Sequence, residues 1–540
     1  MNPVDLVKRL QIRSTEVPVR RPWARRLLLV APVLGLMALF SITGIRGVDF
    51  GDHWDEVDWQ IQPVRDMVNT GLLLPRASLY PSFGKWLTLL PAIPPALRAA
   101  LKRGSSARDI QTAMIATVNR PNYLLTVRCV YILFSALAIA WVYCAALALR
   151  RPWWEAFIAA TGLGLSWEYA YHARWVATDC LLVQFSALTL FMLAVFFRKA
   201  KVGWLRAAAV AAGLATGSKF PGGCLLLPIL LASVVTLPIR TVRDVRAQIL
   251  RGVSLCSIAF GAYLLSTPAT IFDPFAFLDQ LTFIARYYEK GHWGYTVSGP
   301  AQHWKLVLTY FAISFFSPHL PIAVALFACA VLGAVFWIRN DRPIGAVLVA
   351  FPVLFLVYFC DKYRAMIVRN YLFIVPFLCL LMGRGIAEIF SRLRFAWARW
   401  SFAAALTIAL TANAVWLVQA GESIRHFDPA RQVAQAVAYV TEHPKTRFLL
   451  SNKVRSMAAS QHLGLPANVT VGRNFDQVVF FAEAEGPDSW HMKTNDPFMT
   501  TAIFGSREVD FGWYATWTGR DRVVVMTSAK AKFIGARLAQ

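Results

Sequence analysis

Eleven apolar runs dominate the chain, at residues 27–45, 122–149, 153–172, 178–197, 204–217, 221–238, 252–269, 319–338, 343–359, 371–390 and 400–419. Most approach the roughly 20 residues that a helix needs to cross a bilayer. The polar intervals between them alternate in charge. Arg150 and Arg151 follow the second run, Arg198, Lys199, Lys201 and Arg206 the fourth, and Arg240, Arg243, Arg246 and Arg251 the sixth. Arg339 and Arg342 follow the eighth, and Arg392, Arg394 and Arg399 the tenth. Arg20, Arg21, Arg25 and Arg26 precede the first. Basic loops face the cytoplasm, so the pattern predicts a cytoplasmic N-terminus, an uncleaved first helix and, from the odd count, an outer C-terminus. The run at 204–217 is short and broken by Gly213, Gly217 and Pro221, and 304–318 is left open as an extra helix.

Four stretches then face outward: 46–121, 173–177, 270–303 and 360–370. The first is long enough for at least one interfacial helix. After Gln419 the chain turns polar. Asp428-Pro429 and the following ARQVAQAVAYVTEH read as a capped amphipathic helix. Residues 447–451 and 522–526 read as strands. The expected fold is an α-helical multi-pass membrane protein of about 11 spans, range 10–13, with outer-face amphipathic helices. Residues 1–420 form the membrane domain, with 46–121 its first outer loop, and 421–540 a small extracytoplasmic α/β domain.

Composition agrees. Hydrophobic residues are 57% and charged residues 16%, against about 25% charged in soluble domains, which excludes a wholly soluble protein. The 55 basic and 30 acidic residues give a net charge of +25. On a soluble chain that excess would point to nucleic acid. Here cytoplasmic loops account for it, and no nucleic-acid partner is expected. The eight cysteines lie mostly in apolar runs without CxxC spacing, so they read as small buried hydrophobes.

The candidate chemistry lies in the outward stretches. Asp52, Asp55, Glu56 and Asp58 fall within seven residues after the first run. Val57, Ile61 and Val64 would share one side of a helix starting there, which makes Asp55 either an N-cap or a general base at the membrane surface. Four carboxylates could also take a divalent cation, although their spacing fits no EF-hand loop. Lys85 is either a snorkelling lysine or an anion partner. Asp179 opens an apolar run five residues after Arg174. Ionisable groups at that depth are paired or functional. Lys219 interrupts the junction of two runs, and Lys362, Arg364 and Arg369 form another basic group. Together these cations run against the positive-inside trend, and a shared anion at the outer face accounts for them. The sequence has neither a P-loop nor a Rossmann glycine pattern, so the anion is expected from the membrane, as a lipid phosphate.

Several of these motifs occur in an informative order. Asp55-Glu56 is followed by Tyr80-Pro81-Ser82-Phe83-Gly84-Lys85-Trp86, then by Ala173-Arg174 and Asp179, Gly213-x-x-x-Gly217-x-Lys219, Gly291-His292-Trp293-Gly294, and Arg369-Asn370-Tyr371 ahead of Pro376. Over residues 25–390 this order resembles the glycosyltransferase C superfamily, specifically family 39, the protein O-mannosyltransferase-like group with its bacterial aminoarabinose-transferase-like relatives. The resemblance implies a multi-pass transferase of the cell (inner) membrane that uses a polyprenyl-phosphate-linked sugar donor and a glycan, lipid or protein acceptor. It implies Asp55 as the catalytic acidic residue of the first loop, with Glu56 beside it and Asp179 as the second-loop acid. Lys85, Arg174, Lys219, Arg364 and Arg369 would meet the donor phosphate. Tyr80, which stands where the family has histidine, would line the substrate with His292 and His303. No cofactor is required, and a divalent cation stays open. A secondary transporter with broken helices and a non-catalytic lipid-phosphate-binding protein of the same fold are the competing readings.

Overall fold

A computed structural model describes residues 22–49, 56–72, 74–75, 80–236, 241–291, 296–425, 429–472, 474–481, 502–504 and 523–528. It is a multi-pass helical membrane protein with a small sheet domain. Among the described residues, each of the eleven apolar runs carries helix. Among the described residues eight helices are long and apolar enough to cross a membrane: α1 (Pro22–Arg46), α6 (Tyr123–Ala148), α9 (Thr178–Lys199), α12 (Val242–Ser266), α15 (Leu320–Asn340), α16 (Arg342–Lys362), α17 (Val375–Arg392, with a preceding 3-10 stretch) and α18 (Ala396–Arg425). The other three runs form shorter helices, α7 (Trp153–Gly164), α10 (Val202–Ser218) and α11 (Leu226–Thr236). Local chemistry shortens them. Ser166 N-caps a new short helix, α8 (Trp167–His172), immediately after α7. Pro221 stands just past the end of α10, where a helix cannot continue. Residues 300–310 form a separate helix, α14, that runs into a π-helical turn at Phe311–Phe315.

The helices pack through close backbone contact. A Cβ on Gly333 of α15 would lie 1.8 Å from the Leu381 carbonyl oxygen of α17, and one on Gly385 would lie 1.9 Å from the Cys329 oxygen. Only glycine permits this approach, which raises van der Waals contact where lipid supplies no hydrophobic drive between helices. Most residues of α9 are buried, so it forms the centre of the bundle, with α6 and α10 against it.

The first long loop, residues 46–121, is mainly helical where it is described: a π turn (Val57–Ile61), α2 (Gln62–Thr70), α3 (Phe83–Leu89), a 3-10 turn (Leu90–Ala92), α4 (Ile93–Ala100) and α5 (Ala107–Val118). Ile61, Val64, Met67, Leu87, Met114 and Val118 form its core, on Tyr123, Val127 and Tyr131 of α6. The stretch 270–303 holds α13 (Pro274–Lys290).

Among its described residues the polar C-terminal region holds α19 (Pro429–Glu442), α20 (Asn452–Ser460) and five strands, β1 (Phe448–Leu450), β2 (Val469–Thr470), β3 (Gln477–Phe481), β4 (Ala502–Phe504) and β5 (Val523–Thr527). They form one mixed sheet of order β2-β1-β3-β5-β4. Strand β1 is parallel to β2 and β3, and β5 is antiparallel to β3 and β4. Val433, Val440 and Val454 cover Phe448, Val479 and Val525 in a core separate from that of the membrane helices.

Candidate active site

Asp179 is the second residue of α9, where a carboxylate is favoured by the free N–H groups and the helix dipole. It is buried, and two cations converge on it. Lys219 Nζ lies 2.6 Å from Oδ1 and Arg369 Nε lies 3.8 Å from Oδ2. Lys219 also donates to Asn370 Oδ1 at 2.7 Å. All three side chains are nearly inaccessible. Local sequence puts them there. Lys219 adopts extended backbone (φ −155°, ψ 135°) at the end of α10. Gly222 then folds back onto the last turn, where a Cβ would meet the Ala215 carbonyl carbon at 2.3 Å. Arg369 and Asn370 sit on the 3-10 stretch Val368–Ile374 that leads into α17. One carboxylate facing two cations leaves an excess of positive charge among these described groups, in a desolvated position.

Aromatic rings border this cluster. The Trp175 ring centroid is 6.0 Å from Arg369 Cζ, and Trp175 packs on Tyr171 at 4.8 Å and His172 at 5.2 Å.

A second buried ion pair lies alongside. Arg128 Nε and Nη2 donate to Glu56 Oε1 and Oε2 at 2.9 and 2.5 Å. Arg128 Nη1 donates to the Val48 carbonyl at 2.6 Å, and the Val176 N–H donates to Glu56 Oε1 at 2.8 Å. Glu56 therefore ties the first loop to α6 and to the second loop, just ahead of Asp179. Glu56, expected from the sequence to stand beside Asp55 in the chemistry, has both of its oxygens bonded inside the protein. Arg128 was missed in the sequence, although a lone arginine inside the apolar run TVRCVYILF carried the same signal as Asp179. Asp52 and Asp55 lie outside the described residues.

Lys85, on α3, is fully buried, and Nζ donates to the Tyr80 carbonyl at 3.2 Å. Burial pushes its ammonium down to about 8. Its helix is fastened at the Lys219 corner. Trp86 Nε1 donates to the Ser266 carbonyl at 3.0 Å, and a Cβ on Gly217 would lie 1.9 Å from Ser266 Oγ. Phe83 packs edge-on against Phe185 of α9, with ring centroids 4.9 Å apart. Tyr80 itself is half-buried, with its ring 6.4 Å from that of Trp59.

Three other candidates lie elsewhere. The Arg174 guanidinium donates to the Ala170 and Thr43 carbonyls at 2.8 and 3.1 Å and lies over Trp167 at 4.8 Å. It staples α8 to α1, because a buried guanidinium must spend its donors on nearby carbonyls. Arg364 holds the loop through its backbone, with N–H to the Tyr288 carbonyl and C=O from Val297 N–H, and its side chain is exposed. His303 is on α14 rather than in a loop, with one ring nitrogen at the Tyr363 carbonyl and the other at the Tyr371 hydroxyl. Burial lowers its pKa, so the neutral ring donates through Nδ1 and accepts at Nε2. His292 lies outside the described residues. Among the described residues no group of three or more His, Cys, Asp or Glu side chains could hold a metal ion.

Residues 114–265, which include Arg128, Asp179 and Lys219, match the family described as dolichyl-phosphate-mannose-protein mannosyltransferase. No curated protein matches the sequence. Solved structures similar to the chain include ArnT from Cupriavidus metallidurans bound to undecaprenyl phosphate, at 16% identity and TM-score 0.45, over 94% of this chain and 98% of that one. The Archaeoglobus fulgidus oligosaccharyltransferase in the apo form is similar at 10% identity and TM-score 0.46, over 85% of this chain and 70% of that one. The S. cerevisiae protein O-mannosyltransferase Pmt1-Pmt2 complex bound to the sugar donor is similar at 15% identity and TM-score 0.36, over 51% and 36% respectively. The family match covers residues 114–265, under a third of the chain, so what the comparisons establish is a similarity to the dolichyl-phosphate-mannose-protein mannosyltransferase family over that segment.

Proposed function

We propose that the protein transfers a sugar from a polyprenyl-phosphate donor to an acceptor hydroxyl or amine at the outer face of the cell membrane. The observation that carries this reading is the burial of Lys219 and Arg369 together against the Asp179 carboxylate. Two desolvated cations at the end of a membrane bundle suit an anion that arrives in lipid. Asp179 holds them in place before the phosphate binds. Lys85, on the helix seated at the same corner, adds a third cation. Asp55 takes the proton of the acceptor as its oxygen or nitrogen attacks the anomeric carbon. The bond to the donor phosphate oxygen breaks, and the phosphate leaves with its negative charge facing the cations, where that charge is stabilised as it develops. A single displacement inverts the anomeric configuration. The Glu56–Arg128 pair holds the chain next to Asp55. The described carboxylates Glu56 and Asp179 are each paired with cations, a donor set that does not fit a divalent ion, and no step runs through one. The acceptor is a glycan, a lipid or a protein.

In this reading the N-terminus is cytoplasmic, and the sheet domain lies outside without contributing to the chemistry. The test uses purified protein and a donor radiolabelled in the sugar. Release of polyprenyl phosphate with label on an added acceptor is expected, and Asp55→Asn should retain donor binding while turnover falls roughly 10²–10⁴-fold. Near-normal turnover in Asp55→Asn would remove the proposed base. Binding without turnover by the wild type across donors and acceptors would favour a non-catalytic protein.

A further inference from the structure

The first outer loop carries a surface that the proposed transfer does not use. No acidic residue occurs from Met67 to Arg108. The next one, Asp109, is consumed by a capping box, accepting from Ser106 N and Oγ at 2.8 and 2.7 Å. Within this stretch the 3-10 turn at Leu90 and helix α4 form one continuous helical path. Leu90, Ile93, Leu97 and Leu101 stand at spacings of three, four and four residues, which places them on one face. They are 42, 39, 57 and 85% exposed. The opposite face carries Ala92 and Ala99, which are buried against the core of the loop. Arg98 and Lys102 flank the leucine stripe one helical turn apart, and Arg103 and Arg108 follow; all four are exposed. The path also has a fixed height. The helix before it, α3, is bonded to the end of the spanning helix α12, through Trp86 to the Ser266 carbonyl and through the Ser82 N–H to Thr267 Oγ1 at 3.2 Å. An exposed apolar stripe flanked by cations, at the level where a span leaves the bilayer, matches an amphipathic helix lying in the lipid interface.

We propose that residues 90–108 are a docking surface for anionic phospholipid headgroups in the leaflet that the first loop faces. The leucine stripe enters the acyl boundary, and the basic side chains extend along it to meet the phosphate oxygens. The shortage of acids makes the surface selective as well as sticky: Asp109, at its edge, acts electrostatically on Lys102, but its oxygen is held by the Ser106 capping box. Since Leu89 and Leu90 are adjacent, the same contact holds α3, and with it Lys85, against the membrane.

The full-length protein, carrying a photo-crosslinking residue at Leu101, is reconstituted in bilayers of phosphatidylcholine and phosphatidylglycerol at roughly 3:1, where each engaged basic side chain should enrich the anionic lipid by up to about five-fold. Mass spectrometry of the captured adduct should show phosphatidylglycerol well above its share of the bilayer. Enrichment should fall to the bulk ratio in the Arg98→Gln, Lys102→Gln, Arg103→Gln variant, whose substitutions are all on the surface. A control crosslinker at Leu332, an exposed position on α15, should capture lipid at the bulk ratio in both proteins. Capture at the bulk ratio by the wild type at Leu101, enrichment that survives the triple substitution, or adducts to protein in place of lipid would each overturn the proposal.

Discussion

Arg128→Met isolates what the Glu56–Arg128 pair contributes. In the wild type both side chains are essentially inaccessible, and the pair is bidentate at 2.9 and 2.5 Å. Methionine fills much of the volume but leaves the Glu56 carboxylate buried, with the Val176 N–H still donating to it. Stranding one charge of a buried pair costs about 3–5 kcal/mol. A Coulomb estimate at roughly 4 Å and an effective dielectric of about 20 gives about 4 kcal/mol, so the two routes agree. Glu56→Gln should cost a similar amount by stranding the guanidinium. The double variant removes both charges together, and glutamine can still accept from Val176. It should therefore be more stable than the sum of the single changes by about 2–3 kcal/mol. Pulse proteolysis of the protein in detergent over a denaturant series reads all four corners of the cycle. Single variants within about 0.5 kcal/mol of wild type, or strict additivity, would refute the view that this pair clamps the loop. A transfer assay adds a second readout. Arg128 bonds to Val48 and Glu56, on either side of Asp55, so Arg128→Met should lower kcat more than it raises the donor KM.

Lys219→Ala should weaken donor binding by roughly ten-fold or more, since a hydrogen bond to a charged group contributes about 1.5–3 kcal/mol, whereas Arg364→Ala, whose side chain points to solvent, should change it less than two-fold; titration calorimetry with the lipid phosphate decides, and the reverse order would move the anion site. Donor affinity should fall as pH rises through about 8, because burial lowers Lys85 to that value from its ordinary 10.5 and only the ammonium holds a phosphate. Stability should move the other way, rising between about 8 and 10.5 as the cost of burying the ammonium is removed; Lys85→Arg should abolish both inflections, and an unchanged binding profile would detach Lys85 from the donor. Reporter fusions after Arg151 and after Gln540 should lie on opposite sides of the membrane, and the same side for both would break the alternation of basic loops. Deleting residues 421–540 should leave transfer within a few-fold of wild type, measured on protein shown to be folded.

The helices were legible because lipid imposes a simple requirement: an apolar run of sufficient length with charges outside it. Where the runs were interrupted, the sequence overstated them. Ser166 divides the segment 153–172 that composition alone joined. Asp179, Lys219 and Arg369 stood out because a charge at the edge of an apolar run needs a partner. Which partner each one finds depends on tertiary contact, and residue type could not say. Arg174 and Arg369 look alike in sequence, yet one spends its donors on carbonyls of α1 and α8 while the other meets Asp179. Glu56 was noticed for its neighbour Asp55. Its partner lies 72 residues away in α6, a separation that local pattern cannot bridge.

The 3-10 stretch Val368–Ile374 has a consequence for how this chain can vary. With three residues per turn, successive side chains point about 120° apart. Three neighbours in the chain therefore serve three destinations: Arg369 the α9 carboxylate, Asn370 the lysine at the end of α10, and Tyr371 the imidazole of α14. Lengthening the loop before Val368 by one residue would leave that arrangement intact. Inserting one residue between Arg369 and Tyr371 would turn every later side chain by a third of a revolution and hand each destination the wrong chemistry. The segment thus behaves like a reading frame, tolerant of change on its upstream side and intolerant of any shift in register within it.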